Sequence, residues 1–361
     1  MLKRAFCKVI VDGKDVTSTW DPLLISVSIK LADGGKSDTC DVVLDDRGGN
    51  IKMPRTGAKI QVMLAWMDMG GAVSFQGITD EPQSSGSRGS GMTLSISAKA
   101  ADMEGKPKEK QDKHEDKKKF KEVAEKWGKK SGLSVKVQGK IADIERPYWA
   151  MQNESFLAWG QRMARDMGAT FKIQGKEAVF VERNSNESAG GQQQQLGNVK
   201  VIYGLNLIDW SLTPIQSRQV YDEVESKWYD RKEAKWKSEK KESKSKKSSG
   251  GGGSDKVVLK DNRAHTTKEE AEGKNEANSE ELKRDKGGGS VTVDGEPNAQ
   301  PQAMCMVQGI RQGIDGQYRI TSCTHSYSRS SGWTTDLELG DPEESQGGGS
   351  GNSQGGAGGG A

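Results

Sequence analysis

The chain has 361 residues with 54 Lys+Arg against 51 Asp+Glu, a formal net charge of +3, so it is no polycation that binds nucleic acid through overall charge. No run of about 18 apolar residues is present, so no transmembrane helix is expected. The start, MLKRAFCKVIVDG, lacks the apolar core of a secretory signal. Cys7, Cys40, Cys305 and Cys323 are far apart, without a CxxC pair, and read as buried small hydrophobes instead of a disulfide framework. Glycine reaches 46 residues, about 13% against an average near ~7%, with clusters at 250–253, 287–289 and 347–360 that mark linkers and a tail. Only 32% of residues are apolar, which in a multi-domain chain points to surface buried on assembly.

Residues 1–103 read as a β domain. Ile25 to Leu31 alternates apolar and polar residues with period two, as do 60–64 and 92–98. Asp12-Gly13, Asp33-Gly34-Gly35, Gly48-Gly49-Asn50 and Gly70-Gly71 separate these runs, and short strands with glycine turns predict a small barrel or sandwich.

Residues 104–183 read as a smaller α+β domain. Its first part, 106–140, carries 13 Lys against 6 Asp/Glu. Phe120, Val123, Ala124 and Trp127 recur at i, i+3, i+4 and i+7, one apolar helical face, so Trp127 is expected in a core; Gly132 stops the helix before a strand at 133–137. A second helix starts at Asn153, which is expected to cap it, with Glu154 near the positive end of its dipole. Phe156, Leu157, Met163, Ala164 and Met167 form its face and Gly168 its left-handed stop. Phe171–Ile173, a Gly175-Lys176 turn and Val179–Val181 make a hairpin. Trp149 is expected in the core or between domains.

Residues 184–198 form a polar linker, and β-patterning returns over 199–345. Asn206, Ile208, Trp210 and Leu212 alternate with Leu207, Asp209 and Ser211, and 224–229 is strand-like. A Lys/Ser/Gly tract at 230–254 is expected to be a mobile loop, and 267–285 a polar helix, with Gly273 and Asn275 making it poor in isolation; together they form an insertion over 230–290. Strands resume at 291–293, 318–325 and 333–339, with Tyr318 and Trp333 expected to pack this last domain. Residues 346–361 are a Gly-rich tail expected to be disordered. The fold class is therefore mainly β with an α+β insertion: two β domains flank a smaller α+β domain, and the second carries a helical insertion.

Catalytic chemistry finds little support. The three histidines, His114, His265 and His325, are scattered; Cys323 and His325 share a strand face, but no spacing supplies a full ligand set, and no metal or cofactor is expected. No GxSxG, HExxH or GxxxxGK[ST] occurs, and Gly86–Gly91 precedes a strand instead of opening a helix. The adjacent acids Asp45-Asp46 and Glu343-Glu344 read as solvated turn and tail residues, not a hydrolase pair. The Lys runs at 106–130 and 227–247 are interspersed with acids, so specific nucleic-acid binding is not expected and an acidic partner or solvent suits them better.

Two segments carry a family resemblance. The first is Gln152, Glu154, Ser155, Phe156, Leu157, then Arg162-Met163-Ala164, Gly168 and Phe171; the second runs Gly316-Gln317-Tyr318-Arg319-Ile320 to His325, then Gly332-Trp333-Thr334-Thr335-Asp336-Leu337-Glu338-Leu339. They resemble the helix-plus-hairpin and the closing strands of the phage late control protein D family, the contractile-tail baseplate hubs related to the hub part of type VI secretion spike proteins. The family's extra residues between Ser and Phe-Leu are missing here. Weaker echoes lie at 224–230 and 267–285, so the resemblance spans about 1–342.

The resemblance implies a non-enzymatic structural protein of the virion tail baseplate, assembled in the host cytoplasm. It implies a homotrimer in which each chain presents two barrel-like tube domains. Three chains would then mimic six-fold symmetry, joining the hexameric tail tube to the trimeric central spike around a lumen, with tape-measure and baseplate wedge proteins as further partners. The motif residues, including Ile320, Leu337 and Leu339, would be structural or interfacial. A tail-associated peptidoglycan hydrolase and a basic nucleic-acid-binding module are the alternatives.

Overall fold

The computed structural model describes residues 4–32, 37–68, 70–89, 91–100, 106–182, 197–214, 223–230, 233–242, 258–284 and 288–340. The expected linker up to residue 196, and the Gly-rich tail, lie outside them. The strands of the first part are β1 (Ala5–Val11), β2 (Lys14–Asp15), β3 (Leu24–Ala32), β4 (Thr39–Asp45), β5 (Lys59–Trp66), β6 (Ala72–Thr79), β7 (Gln83–Ser87) and β8 (Gly91–Lys99). The middle part holds β9 (Gln111–Lys119), β10 (Ser134–Gln138), β11 (Glu145–Glu154), β12 (Ala169–Gln174) and β13 (Glu177–Glu182). Then follow β14 (Val199–Ile202), β15 (Leu207–Thr213), β16 (Glu223–Asp230), β17 (Lys235–Glu242), β18 (Val258–His265), β19 (Gly288–Asp294), β20 (Met304–Gln308), β21 (Gly316–Ser328) and β22 (Gly332–Gly340). The helices are α1 (Thr17–Trp20), α2 (Phe120–Lys130), α3 (Phe156–Asp166) and α4 (Lys268–Arg284). The fold is mainly β.

One 14-stranded sheet takes strands from both ends of the chain, because β21 pairs antiparallel with β3 over Ser322↔Ala32 to Ser328↔Ser26. Within it runs a strip in the order β15-β19-β22-β21-β3-β4-β8-β7, antiparallel at every step. The junction β21–β3 divides the strip into four strands from each half. On either side of it β22 matches β4, β19 matches β8, and β15 matches β7 as an outer edge. The upper part of β8 turns away to pair with β6, which leads on through β5 to β1 and β2; β21 likewise pairs at its start with β20, and β20 with β14.

Alternation puts the apolar side of each half on its own core. Cys7, Val9, Val27, Ile29, Val42, Leu44, Leu64 and Ile96 fill the first, and Val201, Val291, Val293, Cys305, Val307, Tyr318 and Leu337 the second, with Leu31 touching both. The boundary between cores does not follow the chain. Trp333, expected in the last domain, packs in the first core 5.2 Å from the Trp66 ring, and the Trp66 indole N–H donates to the Gly295 carbonyl at 2.8 Å. The physical reason is that β21 is long enough, at 13 residues, to serve one core with its start and the other with its end.

The middle part forms a core of its own. Phe120, Val123, Ala124 and Trp127 are buried on α2 as their spacing predicts, and the left-handed Gly132 (φ 81°) follows the helix. Two further strands appear in text with no apolar alternation: β9 and β11 pair as a ribbon that sets Trp149 opposite Glu115 and Met151 opposite Lys113. Lys113 and Glu115 hide the signal because long side chains can cover a core with their stems.

The insertion differs from expectation. Residues 235–242 of the expected mobile loop form β17, paired with β16 over its whole length, and β18 completes a β17-β16-β18 sheet beneath α4. Residues 243–257 lie outside the described chain. Asn275, a poor helix former, is a buried anchor: Ser226 Oγ donates to its Oδ1 at 2.7 Å, and its Nδ2 donates to the Glu239 carbonyl at 2.8 Å. Docking therefore stabilises a helix that propensity does not. Ion pairs Arg146–Glu270 (3.1 Å) and Lys274–Asp166 (3.5 Å) attach this unit to the α+β unit.

Candidate assembly interface

The first motif lies inside the α+β unit. Ser155, not Asn153, caps α3: its Oγ accepts from the Ala158 N–H at 3.2 Å, while Asn153 sits in β11 with φ 47°. Ser155→Ala is expected to lower stability by about 1 kcal/mol, measured as a shifted denaturation midpoint. Glu154, expected beside the helix dipole, instead takes the Arg162 guanidinium on both oxygens, and Arg162 Nη2 also donates to the Ala150 carbonyl at 3.0 Å. Phe156, Leu157 and Phe171 are buried together, Gly168 (φ 63°) ends the helix, and Gln152 is exposed. Spacing did not single out Gly160, where a Cβ would come within 2.7 Å of the Phe171 ring. α3 can lie on the hairpin only because that side chain is absent.

The second motif builds the seam of the large sheet. The Tyr318 hydroxyl donates to the Ile314 carbonyl at 2.5 Å, and Tyr318, Ile320, Leu337 and Leu339 line the second core. Gly332 (φ 73°) makes the tight turn between β21 and β22. His325 is buried with Nδ1 3.0 Å from Thr335 Oγ1, and Nε2 3.3 Å from the Ala299 carbonyl and 3.7 Å from Cys323 Sγ. Burial holds its pKa down at about 4 and pushes the Cys323 thiol up to about 12, so the pair is a neutral packing contact and neither a nucleophile–base dyad nor a thiolate ligand. Among the described residues no group of three or more His, Cys, Asp or Glu is placed to hold a metal, and no helix is long and apolar enough to cross a membrane. The two motifs are not brought together into one site.

What the tertiary structure does concentrate is surface at the strip. Its solvent face carries hydroxyls and carboxylates, with Lys30 and Lys99 among them, and hydroxyls of neighbouring strands hold the carboxylates: Ser97 to Asp41 (2.5 Å), Thr292 to Asp336 (2.6 Å) and Ser322 to Glu338 (2.6 Å). Among the described residues no strand pairs the outer edge of its last strand, β15. Tyr203 (56% exposed), Leu205 (73%), Ile208 (52%) and Trp210 (38%) lie there, with the Tyr203 and Trp210 rings edge to face at 5.5 Å. Free strand edges are normally blunted by charge. β17, the edge of the small sheet, carries Lys235, Lys237, Lys240 and Lys241, whereas β15 carries the single charge Asp209. Alternation places Ile208 and Trp210 on one side of a strand; that they stay exposed only the assembled sheet tells.

Comparison with known proteins agrees with this picture. The chain is 25% identical over 363 residues, covering 91% of both chains, to the "Probable baseplate hub protein" of Escherichia phage 186. It is 22% identical over 227 residues to the protein of the same name from Escherichia phage P2, covering 63% of this chain and 57% of that one. The chain is thus similar to phage baseplate hub proteins. The resemblance carried by the two motifs is thereby borne out. A crystal structure of a tail protein from Neisseria meningitidis MC58 shares the fold, with a TM-score of 0.67 at 13% identity and coverage of 94% of this chain and 97% of that one. No protein-family model matches the chain.

Proposed function

We propose that this protein is a structural baseplate hub of a phage-like contractile tail, located in the virion baseplate, and that it works as a homotrimeric symmetry adaptor. In this reading residues 1–103 and 199–345 are two barrel-like tube domains flanking the α+β domain at 104–183. Three chains place six similar modules around a ring, matching a hexameric tail tube on one side and a trimeric spike on the other. Tape-measure and wedge proteins would meet the same ring, and no step of the mechanism requires catalysis or a cofactor.

The observation that carries the reading is the strip. Two halves of one polypeptide contribute four antiparallel strands each, matched strand for strand about the β21–β3 junction. Such internal duplication is what a threefold ring needs to offer sixfold contacts. The largely hydroxylated face of the strip suits the wall of a water-filled lumen, and carboxylates such as Asp41, Asp336 and Glu338 repel a phosphate backbone locally. Native mass determination of the isolated chain tests the proposal. Three chain masses are expected; a monomer at micromolar concentration, or closure at another number, refutes the adaptor.

A further inference from the structure

We infer that the outward face of the insertion sheet docks an acidic segment of another protein, with an aromatic notch at one end and unpaired lysines along its middle. The inference is independent of the ring, because the β17-β16-β18 sheet takes no part in the large strip. One face of this sheet is occupied. Val224 and Ser226 are buried on the side of α4, where Lys241 pairs with Glu276 at 2.8 Å and Lys237 pairs with Asp230 at 2.7 Å. Alternation sends Lys227 and Tyr229 of β16, and Trp236 and Lys240 of β17, to the opposite face. Register sets Lys260 of β18 level with Lys240, with Glu225 of β16 between them.

Two features of that face point to a partner. Tyr229 and Trp236 stand directly opposite each other, 38% and 63% exposed, with ring centroids 5.1 Å apart and planes at 63°. Rings at that angle form a corner that receives an aliphatic side chain, not the flat platform on which a base stacks. The second feature is charge. Lys237 and Lys241 on the α4 side are paired, whereas Lys227, Lys240 and Lys260 are exposed and form no ion pair among the described residues. Blunting of a free edge explains lysines on β17, but neither Lys227 on the central strand nor an exposed tryptophan. Glu223 and Glu242, opposite each other, close the far end of the face. A nucleic acid carries a phosphate at every step and would set some of them against Glu223, Glu225 and Glu242. A protein segment can place carboxylates over the lysines and a neutral or basic residue over the acids. From Tyr229 to Glu223 the face runs roughly 20 Å at ~3.3 Å per residue, the length of an extended stretch of about seven residues. Exposed ion pairs add little each, so the notch supplies most of the affinity and the lysines select for acid.

Selection from a random dodecapeptide display library on the full-length protein tests the surface. Enriched peptides are expected to combine several acidic residues with one apolar anchor, and their synthetic copies to bind more weakly as salt rises. By fluorescence anisotropy, Trp236→Ser and the double variant Lys240→Glu/Lys260→Glu are each expected to weaken that binding at least tenfold. Both variants change exposed side chains, and a urea midpoint equal to that of the wild type shows that each keeps its fold. The surface is overturned if the selection shows no acidic enrichment, if binding survives both variants, or if oligothymidylate binds this face in place of the acidic peptides. A monomeric wild type that still binds the peptides would refute the ring and leave this surface standing; a trimer that binds none would do the reverse.

Discussion

Lys172→Met is expected to destabilise the protein by about 3–5 kcal/mol, the largest effect of any single polar substitution considered. Lys172 on β12 reaches out of the α+β unit and pairs with Asp38 at 2.9 Å, both side chains almost fully buried. The other Asp38 oxygen accepts the Ala32 N–H at 3.1 Å, and Ala100 N–H donates to the Asp38 carbonyl at 2.9 Å. Methionine fills the volume of lysine but leaves a carboxylate out of water without its cation, and that desolvation is not recovered elsewhere. Gln302 donating to Thr170 at 2.7 Å and Gly175 donating to the Ala100 carbonyl at 3.0 Å span the same boundary, so the loss loosens the attachment of the whole unit. Urea denaturation of Lys172→Met and of Lys172→Met/Asp38→Asn checks the argument. The double variant is expected to regain part of the loss, and equal losses in both would show that the unpaired charge is not its cause.

Acidification is expected to cost about 3 kcal/mol through His325 alone. Burial holds its folded pKa at about 4 against an unfolded value near ~6.5, a difference that burial outweighs the Ala299 carbonyl contact in setting. Between those values the unfolded chain binds the extra proton, so stability rises with pH there. The His325 contribution is therefore complete above pH ~6.5, falls as pH drops, and is fully lost below pH ~4. His325→Gln can keep the contacts to Thr335 and Ala299 without titrating, and its unfolding free energy should vary by about 3 kcal/mol less over that window. Parallel curves for wild type and variant would contradict the buried neutral imidazole. The surrounding groups sharpen the expectation: Cys323 stays a thiol, and the Lys172–Asp38 pair is close enough to act on it.

Much of this was legible without a structure. The helical spacing of Phe120, Val123, Ala124 and Trp127, and the period-two runs of β3, β5 and β8, are local patterns, and local patterns survive any tertiary arrangement that buries one face. β9 and β17 were not legible, because Lys and Glu occupy positions that a strand reader expects to be apolar. The helix cap was misplaced by two residues, since Asn153 and Ser155 are equally good caps by composition and only the path of β11 decides between them.

By itself the sequence determined the mainly β character, the helices of the middle unit, the turn glycines and the two motifs that resemble baseplate hubs. The tertiary structure alone decided that β21 and β3 fuse the two halves into one sheet, that Trp333 belongs to the first core, and that β15 is an edge strand among the described residues. The reason is physical: alternation states that a strand has two unlike faces, but which strand lies beside it depends on residues hundreds of positions away.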